Sequence, residues 1–152
     1  MPKRMLKRML LLLASSLVAM SPVHAEEASI QNKLIGKWIN QNQAKGGATM
    51  TITSVDAATG QLRGKYVPPS NAAGGKEFDV IGWVSSAPPR EKADNVVVVS
   101  FSVSLTTYGS IASWTGYLKD NRIVAMWLNV RPNSGYDWDH ITTSQDTFVK
   151  SP

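Results

Sequence analysis

Between Gly36 and Lys150 the chain runs through eight short segments of strand character, separated by clusters of Gly, Pro, Asn and Asp, with no convincing amphipathic helix. The segments are Gly36–Asn40, Ala48–Val55, Gly60–Val67, Phe78–Ser85, Val96–Leu105, Ser110–Lys119, Arg122–Arg131 and Ile141–Lys150. This pattern restricts the chain to an all-β fold. The links suit antiparallel neighbours: Asp56 to Gly60 is a short loop ending in glycine, and Asp120-Asn121 is a two-residue hairpin signal of type I′. Two longer connections run from Pro68 to Lys76 and from Ala87 to Asn95. Eight strands in sequence order predict an antiparallel up-and-down β-barrel, whose interior can just hold one small ligand. A β-sandwich is the alternative.

The segment before the barrel has a different character. Lys3, Arg4, Lys7 and Arg8 precede an apolar run from Met9 to Met20, and Val23-His24-Ala25 has the form of a signal-peptidase site. Residues 1–25 read as a cleaved export signal, 26–35 as an N-terminal tail and 36–150 as the barrel domain. The run is too short to span a bilayer, and nothing like a stop-transfer segment follows it. The expected location is periplasmic or extracellular, with no membrane attachment after cleavage.

Cleavage changes the charge argument. The whole chain carries +5, but four of its 16 basic residues lie in the signal, which leaves 12 against 11 acidic ones. A mature charge of +1 gives no basis for a nucleic-acid partner. There is no cysteine, and His140 is the only histidine left, so neither a disulfide framework nor a transition-metal cluster is expected.

Alternation assigns faces to the strands. Ser110, Ala112, Trp114 and Gly116 share one side of the sixth segment, and Ile123, Ala125, Trp127 and Asn129 share one side of the seventh. Trp38 falls with Asn40, Tyr66 with Leu62 and Gly64, Leu105 with Phe101 and Val103, and Asp146 with Phe148. Each set mixes large apolar bodies with a few polar groups, the make-up of a small-molecule pocket. The outer side of the seventh segment, Val124, Met126, Leu128 and Val130, is too apolar for water and predicts a homo-oligomer through Arg122–Arg131.

No enzyme signature emerges. Asp137 and Asp139 flank Trp138 between two strands and read as solvated turn carboxylates, and no nucleophile motif accompanies His140. Asn40 and Tyr66, if both point inward, can converge as donors on one ligand carbonyl. Asp146 can accept from an N–H on the ligand's other side.

These residues carry a resemblance. Gly36-Lys37-Trp38-Ile39-Asn40, Met50-Thr51-Ile52, Gly64-Lys65-Tyr66, Phe101-Ser102-Val103, Trp114-Thr115-Gly116, Met126-Trp127-Leu128 and Trp138 with Asp146-Thr147-Phe148 match, in order, the avidin and streptavidin family of secreted biotin-binding barrels. The chain resembles that family from Gly36 to Lys150. The resemblance implies that Asn40 and Tyr66 donate to the ureido oxygen of biotin and that Asp146 accepts from a ureido nitrogen. It further implies that Trp114 and Trp127 wall the bicyclic ring and that Ser110 sits near the tail carboxylate. Trp138 would close a neighbouring subunit's pocket, and Asn71 would be a lid contact.

Four positions depart from the family pattern. A serine donor falls on Ala48, a serine after the tyrosine on Pro68, a threonine near the biotin sulfur on Ala112, and a wall tryptophan on Leu105. Each lost hydrogen bond costs roughly 0.5–1.5 kcal/mol, rising to about 1–3 kcal/mol where a buried ligand group is left unpaired, and the indole-to-leucine exchange about 1–2 kcal/mol more. Together these losses come to roughly three to five powers of ten in affinity. Biotin–streptavidin lies near the ceiling of non-covalent affinity, so binding survives such a loss. The expectation is therefore a biotin-binding protein of reduced affinity. The alternatives are a barrel retuned to another small molecule or peptide, and an interaction or inhibitor barrel with no pocket ligand.

Overall fold

The computed structural model describes residues 30, 32–41, 47–69, 75–85 and 96–152. Residues 1–25, read as an export signal, and Asn71, read as a lid contact, lie outside this set. Eight strands follow one another: β1 (Gly36–Asn40), β2 (Thr49–Val55), β3 (Gln61–Val67), β4 (Phe78–Val84), β5 (Val97–Leu105), β6 (Ser110–Lys119), β7 (Arg122–Val130) and β8 (Ile141–Lys150). Each begins and ends within one residue of its expected segment.

Every strand pairs antiparallel with its sequence neighbour, and β1 closes the ring against β8 through Trp38–Lys150, Ile39–Val149 and Asn40–Phe148. The fold is therefore a closed barrel and not a sandwich. Closure removes the sheet edges that an open sheet would have to protect.

Local chemistry explains the turns. Asp120 and Asn121 have φ values of 49° and 57°, the two successive left-handed residues that a type I′ hairpin needs. In the loop between β2 and β3, Asp56 Oδ1 accepts from the backbone N–H and the hydroxyl of Thr59 at 2.8 and 2.9 Å. These bonds hold the Asp56 carboxyl below its usual range. Gly60, at φ 68°, then lets the chain turn into β3.

The two ends of the barrel differ. At the end where β1 starts, a helical turn at residues 32–34 inserts Leu34, which is fully buried. Trp38 Nε1 donates to the Leu34 carbonyl at 2.8 Å, and Lys150 Nζ donates to the Lys33 carbonyl, also at 2.8 Å. Residues read from sequence as a tail thus stopper this end. Above the stopper, Trp38, Met50, Ile52, Leu62, Val99 and Ile123 fill the barrel.

At the opposite end, inward positions meet solvent. Along β7, Ile123 and Ala125 are buried while Trp127 and Asn129 are only half-buried; along β8, Asp146 and Phe148 are buried while Thr142 and Ser144 are exposed. The interior opens at this mouth.

Candidate ligand-binding site

The floor of the open end is built around Trp114. Its indole stacks on Phe101 with centroids 5.1 Å apart and planes 16° apart, and meets the edge of Phe148 at 6.2 Å. Tyr66 leans against it at 5.2 Å. Two residues along β6, Gly116 admits the neighbouring strand, because a Cβ there would run into the Val124 carbonyl of β7. Trp127 is in register with Trp114, so the two residues stand at one level of the barrel, on the inward side that alternation assigns to both.

Asp146 is the buried charge of the site. It stands on β8 in register with Ala125 and accepts from Trp114 Nε1 at 2.8 Å. This bond uses one carboxylate oxygen and fixes the orientation of both groups, leaving acceptor capacity for a donor arriving from the mouth. Burial, and secondarily the Asp146 charge, push the Tyr66 hydroxyl well above its usual pKa. The phenol therefore stays protonated and can donate.

Asn40 is buried beside this group, in register with Phe148, and its backbone N–H donates to the Ala48 carbonyl at 2.9 Å. Ala48 is fully buried and Pro68 is buried near it, one step beyond the Thr49–Val67 pair. Across the mouth, buried Ser110 is in register with half-buried Leu105, and Ala112 with Val103. The structure thus gathers Asn40, Ala48, Tyr66, Leu105, Ser110, Trp114, Trp127 and Asp146 around one end of one barrel.

Trp138 stands apart from them. It lies in the short 3₁₀ turn Asp137–His140 before β8, is 75% exposed, and stacks on Tyr136 at 4.7 Å with planes 6° apart. Asp137 and Asp139 in the same turn are exposed, as solvated turn carboxylates should be. His140 Nδ1 is 2.8 Å from the Arg131 carbonyl, so Nδ1 carries the proton and donates.

Phe101 and Phe148 were placed inward by alternation without being singled out as site residues, yet they form the aromatic floor. Asn129 has the same inward signature at the mouth. The stacking of Tyr136 on Trp138 had only a weak signal, the period-two spacing of two aromatics in a loop.

Comparison with known proteins agrees with this architecture. The model of the avidin family matches residues 28–151. The crystal structure of bradavidin is similar to the chain with a TM-score of 0.64, at 29% identity over 78% of this chain and 81% of that one. Core-bradavidin gives a TM-score of 0.60 at 31% identity, over 76% of this chain and 97% of that one. Shwanavidin in its apo form gives 0.56 at 26% identity, over 77% and 97% respectively. No curated protein matches the chain.

Proposed function

The chain belongs to the avidin family, and from that premise we propose that it is an exported, homo-oligomeric protein that binds biotin non-covalently in the open end of its barrel. The observation that carries this reading is the buried Trp114–Asp146 hydrogen bond beside Tyr66. It presents a fixed acceptor, a protonated phenol and an indole wall within one enclosure. A cyclic urea offers the complementary set, with N–H donors on its nitrogens and an acceptor on its oxygen. Asp146 takes a ureido N–H, and Tyr66 and Asn40 donate to the ureido oxygen. Trp114 and Trp127 cover the ring, and Ser110 meets the tail.

Affinity below that of the tightest avidins follows from Ala48, Pro68, Leu105 and Ala112, which put no hydroxyl and no indole where the family pattern has them. Isothermal titration and tryptophan fluorescence with biotin test the reading. The expected result is saturable heat with a fluorescence change; neither signal at high micromolar biotin removes it. A barrel retuned to another small molecule or peptide is the second reading, favoured by the buried Ala48 and Pro68. Native mass spectrometry of protein from its own source distinguishes the two by the mass of what co-purifies.

Oligomerisation is supported by the outside of β6, β7 and β8. Ile111, Val130 and Ile141 are in register across the three strands and exposed, and Leu128 and Met126 extend the apolar surface along β7. Such a surface asks for a cover. A second copy would also give exposed Trp138 a neighbouring pocket to close. Leu128→Glu is expected to yield monomers in light scattering, and Trp138→Ala is expected to weaken binding only in the assembled protein.

A further inference from the structure

Near the mouth, the inward face of β7 ends on a polar side chain whose oxygen has no donor. Asn129 follows Ile123, Ala125 and Trp127 on that face, in register with Ala112 on β6 and Thr142 on β8. Its Oδ1 is buried and accepts no hydrogen bond. A buried carbonyl without a donor is destabilising, and Ala112 across the ladder brings only a methyl group to it. Such an acceptor is suited to a donor supplied by the ligand.

The level of Asn129 indicates which part of the ligand arrives there. Asp146 is in register with Ala125, four residues below Asn129 on β7, which is about 13 Å along a strand. At a strand tilt of about 40° this is about 10 Å along the barrel axis. That span accommodates a bicyclic urea and an extended four-methylene tail. The group at the end of the tail therefore meets Asn129, with the Ser110 hydroxyl one inward position further out on β6.

We propose that Asn129 makes this pocket prefer amide-linked biotin, the form joined to a lysine or peptide through its tail, over the free acid. The inference rests on the biotin reading. A tail amide has both complementary groups, an N–H for Asn129 Oδ1 and a carbonyl for the Ser110 hydroxyl. A tail carboxylate has only acceptors and a negative charge. Among the described residues, the other polar side chains on inward strand positions at the mouth, Asn40, Ser110, Thr142 and Ser144, are neutral, so no cation on the strands compensates that charge.

The test is competitive titration of the purified protein with biotin and with biotin methylamide, in the wild type, Asn129→Leu and Asn129→Asp. The wild type is expected to bind the methylamide about five- to tenfold tighter than the acid, the size of one net hydrogen bond. Asn129→Leu lowers the ratio, because the amide contact is lost while the uncompensated charge of the acid remains. Asn129→Asp widens it, because a fixed negative acceptor keeps the amide contact and repels the carboxylate. A wild type that prefers the acid, or a ratio unchanged in both variants while both ligands still bind, overturns the role of Asn129 and leaves the biotin reading intact. Failure of both ligands to bind any of the three proteins overturns the biotin reading and this inference with it.

Discussion

On the flank of the pocket formed by β6, β7 and β8, Trp114, Trp127 and Asp146 form a tied group: a hydrogen bond of 2.8 Å joins two of them, and strand register sets the third alongside. On the flank where β2 meets β3, Ala48 and Pro68 lie one step beyond the Thr49–Val67 pair, buried and without a side-chain donor. Both flanks obey the same inward alternation, so the difference is not one of fold. A barrel guarantees which positions look inward; what each position offers is set residue by residue. The bonded flank should therefore carry most of the affinity, with Tyr66 as the main polar group on the other side.

The largest effect that tests this comparison is expected from Asp146→Ala. It removes an acceptor for a ligand N–H and also leaves the buried Trp114 Nε1 without its partner. Together these amount to about 3 kcal/mol, or on the order of a hundredfold in Kd by isothermal titration. Tyr66→Phe should weaken binding less, by about tenfold, because one donor is lost while the ring and its contact with Trp114 remain. If Tyr66→Phe proved the more damaging of the two, the dominance of the β6–β8 flank would be refuted.

Ala48→Ser sharpens the comparison from the other side. A hydroxyl at this fully buried position would restore a donor to the depleted flank, with an expected gain of roughly 0.5–1.5 kcal/mol, a severalfold tightening. A loss of affinity, with the melting temperature preserved, would show that Ala48 does not face the ligand.

Which of these features could be read before the structure depends on the physics that sets each one. Period-two alternation is local, so the inward placement of Asn40, Tyr66, Trp114, Trp127 and Asp146 was legible, as was the Asp120-Asn121 hairpin. The Trp114–Asp146 bond joins residues 32 apart in sequence, and its partners are set by barrel closure and register, which no local pattern encodes. Leu34 was missed for a related reason. A short segment before the first strand looks like a tail until the open base of a barrel gives it something to plug. Asn129 was legible as inward, but the unmet state of its Oδ1 depends on a neighbour, Ala112, brought alongside by the β6–β7 register.

Tyr66 also bears on stability without any ligand. Burial and the nearby Asp146 charge raise its pKa in the folded protein, so above the unfolded tyrosine value of about 10 the unfolded chain loses a proton that the folded one keeps. The unfolded state then binds fewer protons, and stability falls as pH rises. The contribution is fully present below about pH 10 and is lost progressively above it, by on the order of 1 kcal/mol per pH unit until the folded value is reached. Denaturant unfolding between about pH 9 and pH 11 should therefore show a steeper loss for the wild type than for Tyr66→Phe. Equal slopes would mean that the phenol is not held against ionisation. Tyr66 would then lose its standing as a permanently protonated donor, and with it the claim that the β2–β3 side of the pocket contributes a polar contact of its own.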